Sequence, residues 1–290
     1  MPPTGGGRTD ACDNGRVSES YLVPDPYTPG AFLVRKDGAD QSWIDPAHPA
    51  HLEFDYMVRI GWLIDDWATA RGFGPSDRLR VVHVGGAGMS LARWLAVTRP
   101  TSAQIVPEPD APLTAAVREV APLPPHSGIK VRPVDGMAGL GAMTDGFAQV
   151  VILDAFDHGQ VPASLVAPKF FELARRVVGD GLLAVNLVDA HPHAWARRVV
   201  AGLASTFADV CVIAETGAFK GHRVSNLVVG ASSGPLPLDA LTRRAAGAAL
   251  PCRALSGDDL TRWLAGAKPF TDTDAQPSPP RAGGELTWYG

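Results

Sequence analysis

The sequence has few cysteines, no long apolar run and no excess of basic charge, and each absence narrows what the chain can be. Its three cysteines, Cys12, Cys211 and Cys252, are widely spaced and odd in number. That argues against a disulfide framework and a zinc site, and points to a reducing compartment. The 26 basic residues are outnumbered by 30 acidic ones, for a net charge of -4, so no basic field is available to hold a phosphate backbone. Nucleic acid is therefore not expected as a partner, and a small molecule is. No stretch reaches the roughly 18 consecutive apolar residues of a membrane span. The opening residues, MPPTGGGRTDACDNGR, lack the charged-then-apolar profile of a signal peptide, so a cytoplasmic location without a membrane partner is expected.

What is present is a composition that forms a core, with 46% hydrophobic residues, enough for one large domain or one with a small appendage. Residues 1–20 and 271–290 are expected to be a disordered N-terminus and a flexible C-terminal tail, although Trp288 and Tyr289 could pack back on the body. Residues 31–45 alternate around Lys36-Asp37-Gly38-Ala39 and predict a β-hairpin. From His51 to Ala70 the apolar residues Phe54, Met57, Ile60, Leu63, Ile64 and Trp67 recur at spacings of three and four, which predicts an amphipathic helix. The hairpin and this linking helix form a first unit over 21–75.

Over 76–270 the pattern alternates strand and helix. Strands are expected at Leu79–Val84, Ala103–Val106, Ile129–Val134, Ala148–Leu153, Gly181–Val188, Val210–Ala214 and Val224–Gly230, with helical stretches near 88–98, 110–120, 162–178, 192–206 and 236–247. Short β-branched runs joined by helix-length segments imply crossover connections. The fold class is therefore α/β, with a mostly parallel sheet covered by helices on both faces.

Chemistry-bearing residues stand at the carboxyl ends of the first four of these strands. LRVVHV runs into Gly85-Gly86-Ala87-Gly88 and a helix, a turn in which the backbone can approach a ligand and a helix N-terminus offers free N–H groups. Such a turn also occurs without any ligand. Glu108 follows the next strand, 23 positions after Gly85, where a carboxylate can accept both hydroxyls of a ribose. Asp135, followed by Gly136, is placed to accept from an adenine amino group or to cap the helix that starts near Met137. The fourth strand ends in Asp154-Ala155-Phe156-Asp157, two carboxylates suited to holding and deprotonating a cationic amine, or a capped turn.

This series resembles the polyamine aminopropyltransferases, the spermidine synthase-like family within the S-adenosylmethionine-dependent methyltransferase-like Rossmann superfamily. The resemblance runs from about Ala31 to Ser233 and rests on the hairpin, HLEFDYM, the glycine turn, Glu108, Asp135-Gly136, the Asp154-x-x-Asp157 pair and GHRVSNLVVGAS. It implies a small β domain ahead of a Rossmann-like domain, decarboxylated S-adenosylmethionine as cofactor, and a homodimer. It also implies that Glu108 binds ribose, Asp135 binds adenine, and Asp154 with Asp157 binds the attacking amine. The sequence departs from the family in three places. The Asp that holds the cofactor's terminal amine corresponds to Ala87, the Pro after the second Asp is His158, and the groove-lining tyrosine and glutamine are loosely matched by Tyr56 and Gln41.

The expectation is a transferase that alkylates an amine-type acceptor from decarboxylated S-adenosylmethionine or S-adenosylmethionine, with Asp154 as base. A methyltransferase and a non-catalytic nucleoside-binding protein remain as alternatives. His158 could act as a base or lid. His191 and His193, two apart, cannot share a helix face, so no metal is expected. Trp62, Trp67 and Trp94 are expected in packing, and Asp65-Asp66 on a solvated helix face.

Overall fold

The computed structural model describes residues 21–36, 38–221 and 224–280. The readings at 1–20, Cys12, Asp37, His222-Arg223, Trp288 and Tyr289 lie outside the described residues.

The alternating segments form β2 (Phe32–Lys36) and β3 (Ala39–Ile44), antiparallel with Lys36 opposite Ala39. Gly38 between them takes a φ of 72°, the positive value that short hairpin turns require. A third strand, β1 (Leu22–Pro24), pairs antiparallel with β2. At three residues it is too short to show an alternation in sequence. The predicted amphipathic helix is α1 (Asp55–Ala70), which buries Tyr56, Met57, Ile60, Leu63, Ile64 and Trp67.

The main sheet contains β4 (Arg80–Val84), β5 (Ala103–Pro107), β6 (Ile129–Arg132), β7 (Val150–Leu153), β8 (Leu182–Asp189), β9 (Asp209–Glu215), β10 (Ser225–Ser232) and β11 (Cys252–Leu255), in the order β11-β9-β10-β8-β7-β4-β5-β6. The pairs within β6-β5-β4-β7-β8 are parallel, while β10 runs antiparallel between β8 and β9, and β11 antiparallel to β9. The helices are α2 (Ser90–Thr98), α3 (Ala111–Val120), α4 (Gly136–Gly141), α5 (Pro168–Val178), α6 (Ala194–Thr206), α7 (Leu238–Ala246) and α8 (Gly257–Leu264). From β4 the chain steps outward to β5 and β6, then returns to the other side of β4 as β7. Connections that leave β4 and β7 in opposite directions open a crevice at their carboxyl ends, where ligands bind in sheets of this kind.

Side chains alternate across the sheet. Val82, Val84, Val151, Leu153, Leu183 and Val185 pack with Phe170 and Phe171 of α5 and Val199 of α6, whereas Val81, Val150, Ile152, Leu182 and Ala184 pack with α1 and with Leu241 of α7. Both faces are thus covered, as parallel strands require. A third cluster joins Val34 and Ile44 of the small sheet to Met89 and Ala92 beside and within α2, and to Leu113 and Val117 of α3. Lys36 adds an ion pair to Asp110 at 2.7 Å.

Several features were not legible in advance. β11 and α8 form where no element was expected. Asp65 and Asp66 are not simply solvated, because Arg99 approaches Asp65 at 3.3 Å and Arg244 approaches Asp66 at 2.9 Å. Both arginines are remote in sequence. Part of the expected tail is held to the body. Ser278 is fully buried, its N–H donates to Val161 O at 3.1 Å, and its Oγ accepts from Val161 N at 2.9 Å. The three tryptophans do sit in packing, with Trp67 and Trp94 buried and Trp62 partly so.

Gly88 lies where the small sheet meets the glycine turn. A Cβ there would stand 2.8 Å from both Ser42 Oγ and Ile44 Cγ1, too close for any real contact. Gly88→Ala should wedge β3 away and cost about 1–3 kcal/mol. Denaturant unfolding checks this, and an unchanged midpoint would show that the junction is loosely packed.

Candidate functional site

The crevice holds a cavity of about 380 Å³, a size that accommodates a nucleoside-scale ligand. Gly85, Gly86, Ala87, Glu108, Asp135, Gly136, Asp154, Asp157 and Gln41 all line it. The other residues selected from sequence do not. Gly88 packs under β3, Tyr56 is buried below the floor, and His158 is exposed, 3.6 Å from Asp157.

The absence of side chains shapes the cradle. Gly85 has a φ of 85°, and a Cβ on it would lie 2.4 Å from Asp154 O. A Cβ on Gly86 would lie 2.5 Å from Val106, and one on Gly136 2.3 Å from Val84. Only glycine allows these backbones to approach so closely. Ala87 and Met89 also adopt positive φ, at 32° and 58°.

Glu108 clamps this turn. Its Oε2 accepts from Gly86 N at 2.9 Å and Ala87 N at 3.2 Å, and its Oε1 accepts from Asp110 N at 2.9 Å. A carboxylate has about four lone-pair directions, so Glu108 retains acceptor capacity toward the cavity. Asp135 is exposed and caps α4, accepting from Ala138 N at 2.8 Å through Oδ1. The capping reading of this residue is thereby realised, and Oδ2 is left for another donor.

Asp154 lies half-buried at the end of β7. Ile152 faces α1 and Leu153 the opposite layer, so strand alternation returns Asp154 to the α1 side. There Tyr56 OH donates to its Oδ2 at 3.1 Å and Asn186 Nδ2 to its Oδ1 at 3.0 Å. Desolvation pushes its pKa up to about 6, against the lowering effect of those two hydrogen bonds. Burial is the cause, and Asp157, exposed on the following loop, adds nothing to it.

Asn186 was missed in the sequence. Its signal was a single polar residue inside the otherwise apolar run LLAVNLV, every residue of which is buried. His83, on the α1 face of β4 and lining the same cavity, was also passed over. It bonds Gln104 at 2.8 Å, and burial drives its pKa down to about 4, which keeps the ring neutral. Among the described residues, no cluster of three His, Cys, Asp or Glu could hold a metal, and no helix is long and apolar enough to cross a membrane.

No family model matches the chain, and no curated protein matches it. Solved structures do. A probable spermidine synthase from Corynebacterium glutamicum aligns at 29% identity over 87% of this chain and 92% of that one, with a TM-score of 0.78. A spermidine synthase in complex with the transition state analogue AdoDATO aligns at 12% identity over 87% of this chain and 77% of that one, with a TM-score of 0.52. Human methyltransferase-like protein 13 in complex with SAH aligns at 17% over 76% of this chain and 94% of that one, with a TM-score of 0.51. The latter two show the fold alone. The eight-stranded sheet with the small antiparallel sheet ahead of it is a methyltransferase-like fold, and over most of its length the chain is similar to a probable spermidine synthase.

Proposed function

We propose that this protein is an alkyl transferase of the spermidine synthase type, which uses an adenosyl-sulfonium cofactor to alkylate an amine. The observation that carries this reading is Asp154, a carboxylate with a pKa near 6, fixed by two donors on the floor of a glycine-lined cavity. A binding-only protein needs no base poised near neutrality.

The residues present fit such a cofactor. The cradle of Gly85, Gly86 and Gly136 admits a flat ring and a sugar, Glu108 can accept from one ribose hydroxyl, and Asp135 Oδ2 from the adenine amino group. When bound, the cofactor supplies an electrophilic carbon on a cationic sulfur that leaves as a neutral thioether. Asp157, at the mouth, attracts the protonated acceptor. Asp154 takes one proton from the ammonium nitrogen and frees the lone pair that attacks that carbon, while the walls hold the nitrogen in line with it.

Neither Ala87 nor Gly88 offers a carboxylate to a terminal amine, and Gly88 has no room for one. That favours methyl transfer from S-adenosylmethionine as the second reading. An absent charged hydrogen bond should reduce discrimination in favour of decarboxylated S-adenosylmethionine by roughly ten- to a hundredfold. Calorimetric titration of both cofactors separates the readings, and a preference for the decarboxylated form above about a thousandfold would restore plain aminopropyl transfer. In the same assay, Glu108→Ala should weaken either cofactor by about 2–4 kcal/mol. An unchanged dissociation constant would remove Glu108 from the ribose site.

The chemical step is tested with Asp154→Asn, which should lower turnover by about 10²–10⁴-fold at nearly constant cofactor affinity. The same variant tests the pKa without any substrate. Because the folded-state pKa lies above the ordinary value of 3.8, the native protein binds more protons than the unfolded chain between about pH 4 and 6. Stability owed to this group is therefore present at low pH and lost as pH rises through 6. Asp154→Asn should melt higher than the wild type at pH 8, by an amount on the order of 2–3 kcal/mol, and equal it near pH 4. A constant difference across pH would contradict a raised pKa.

A further inference from the structure

Asn186 is the one polar residue among the first seven of β8, LLAVNLV, and only 1% of it is exposed. Its amide meets half of its hydrogen-bonding capacity. Nδ2 donates to Asp154 Oδ1 at 3.0 Å, while Oδ1 is buried with no partner among the described residues. A buried amide oxygen without a donor is destabilising, and a leucine of similar size would carry no such penalty in a strand whose neighbours are all apolar. General packing therefore does not explain the residue. Its single hydrogen bond does, because with Tyr56 on Oδ2 each oxygen of Asp154 has one fixed donor, and the carboxylate cannot rotate about its last bond.

We propose that Asn186 is a positioning residue for Asp154: its amide fixes one carboxylate oxygen so that the remaining lone pairs point into the cleft, and it holds that geometry at a loss of fold stability. The inference rests on Asp154 being the base. Asn186 does not line the cavity, so it acts through Asp154 and does not touch substrate.

The charged and titratable groups around Asp154 leave this role to Asn186. His83 on the same face of the sheet is held neutral by burial and bonds Gln104. Arg59, one turn beyond Tyr56 on α1, lies near Asp55 at 3.9 Å and Glu215 at 4.0 Å. Asp157 is exposed on the loop, and Glu108 is engaged with the glycine turn. Tyr56 supplies the other donor.

The test is Asn186→Leu, with Asn186→Ala as a smaller variant should Leu not fold. The carboxyl carbon of Asp154 is followed by NMR through a pH titration of the free protein and assigned by its loss in Asp154→Asn. Removing a donor to the ionised form should raise the Asp154 pKa by about one unit. At pH 5, where Asp154 is largely protonated, Asn186→Leu should melt no lower than the wild type. With S-adenosylmethionine and a panel of primary amines, the acid limb of kcat/KM should move up with the NMR value, and turnover should fall roughly ten- to a hundredfold. Cofactor affinity should stay within about twofold. An unmoved Asp154 pKa in the variants, or a large loss of stability in Asn186→Leu at pH 5, would overturn the role of Asn186 whatever the activity. A moved pKa with unaltered turnover would keep Asn186 as the residue that orients Asp154 and reject Asp154 as the base.

Discussion

The site depends on one close approach, that of the Gly85 backbone to the carbonyl of Asp154. These residues end adjacent parallel strands, and only 2.4 Å separates the position of a Gly85 Cβ from that oxygen. With a side chain there, β4 and β7 would be pushed apart at their carboxyl ends, the turn that carries Gly86 and Ala87 would lift, and Glu108 would lose both amides it clamps. The crevice is thus set by backbone against backbone. The side chains that line it are placed by strand alternation on either side of that contact.

Much of this arrangement was legible in the sequence because it is local. The seven expected strands all occur, since β-branched runs bounded by glycine and proline have few other uses. Gly85, Glu108 and Asp154 directly follow parallel strands and Asp135 comes three residues after the end of another, so all four fall at one edge. The missing pieces were those whose partners are remote. Asn186 meets Asp154 across 32 positions and Tyr56 meets it across 98, and no local pattern encodes such a pairing. Asp66 looked solvated because its partner Arg244 is 178 positions away. The sequence shows two carboxylates three residues apart, but not that Asp157 is exposed while Asp154 is desolvated.

Two buried ionisable groups on the α1 face of the sheet titrate in opposite senses. His83 is held neutral with a pKa near 4, so the unfolded chain takes up a proton that the native state refuses, and stability is lost as pH falls from about 6.5 toward 4. Asp154 gains stability over nearly the same interval. The two slopes offset each other, so the whole protein can show a flat pH profile while each group is strongly perturbed. Only a comparison in which one of them is replaced exposes either. Keeping His83 neutral also withholds a positive charge from the cleft, where a cation would lower the Asp154 pKa and repel a protonated amine.

The two halves of the cleft differ in how far apart their parts lie in the chain. One side is built from consecutive strand ends, from Gly85 to Gly136, and is braced by Glu108 within it. The other side is assembled from α1, β8 and the loop after β7, and that loop is clasped from outside by Ser278 through two hydrogen bonds to Val161. The two sides meet where Gly85 abuts the Asp154 carbonyl, whereas His158 is exposed on the loop and Ala87 lies two residues beyond that contact. On the proposed reading, positions outside that contact can vary with the transferred group and the acceptor while the adenosine pocket and the base stay fixed. The sequence resemblance divides the same way: the residues it matches to ribose, adenine and base are present, and those it matches to the terminal amine and the groove have changed.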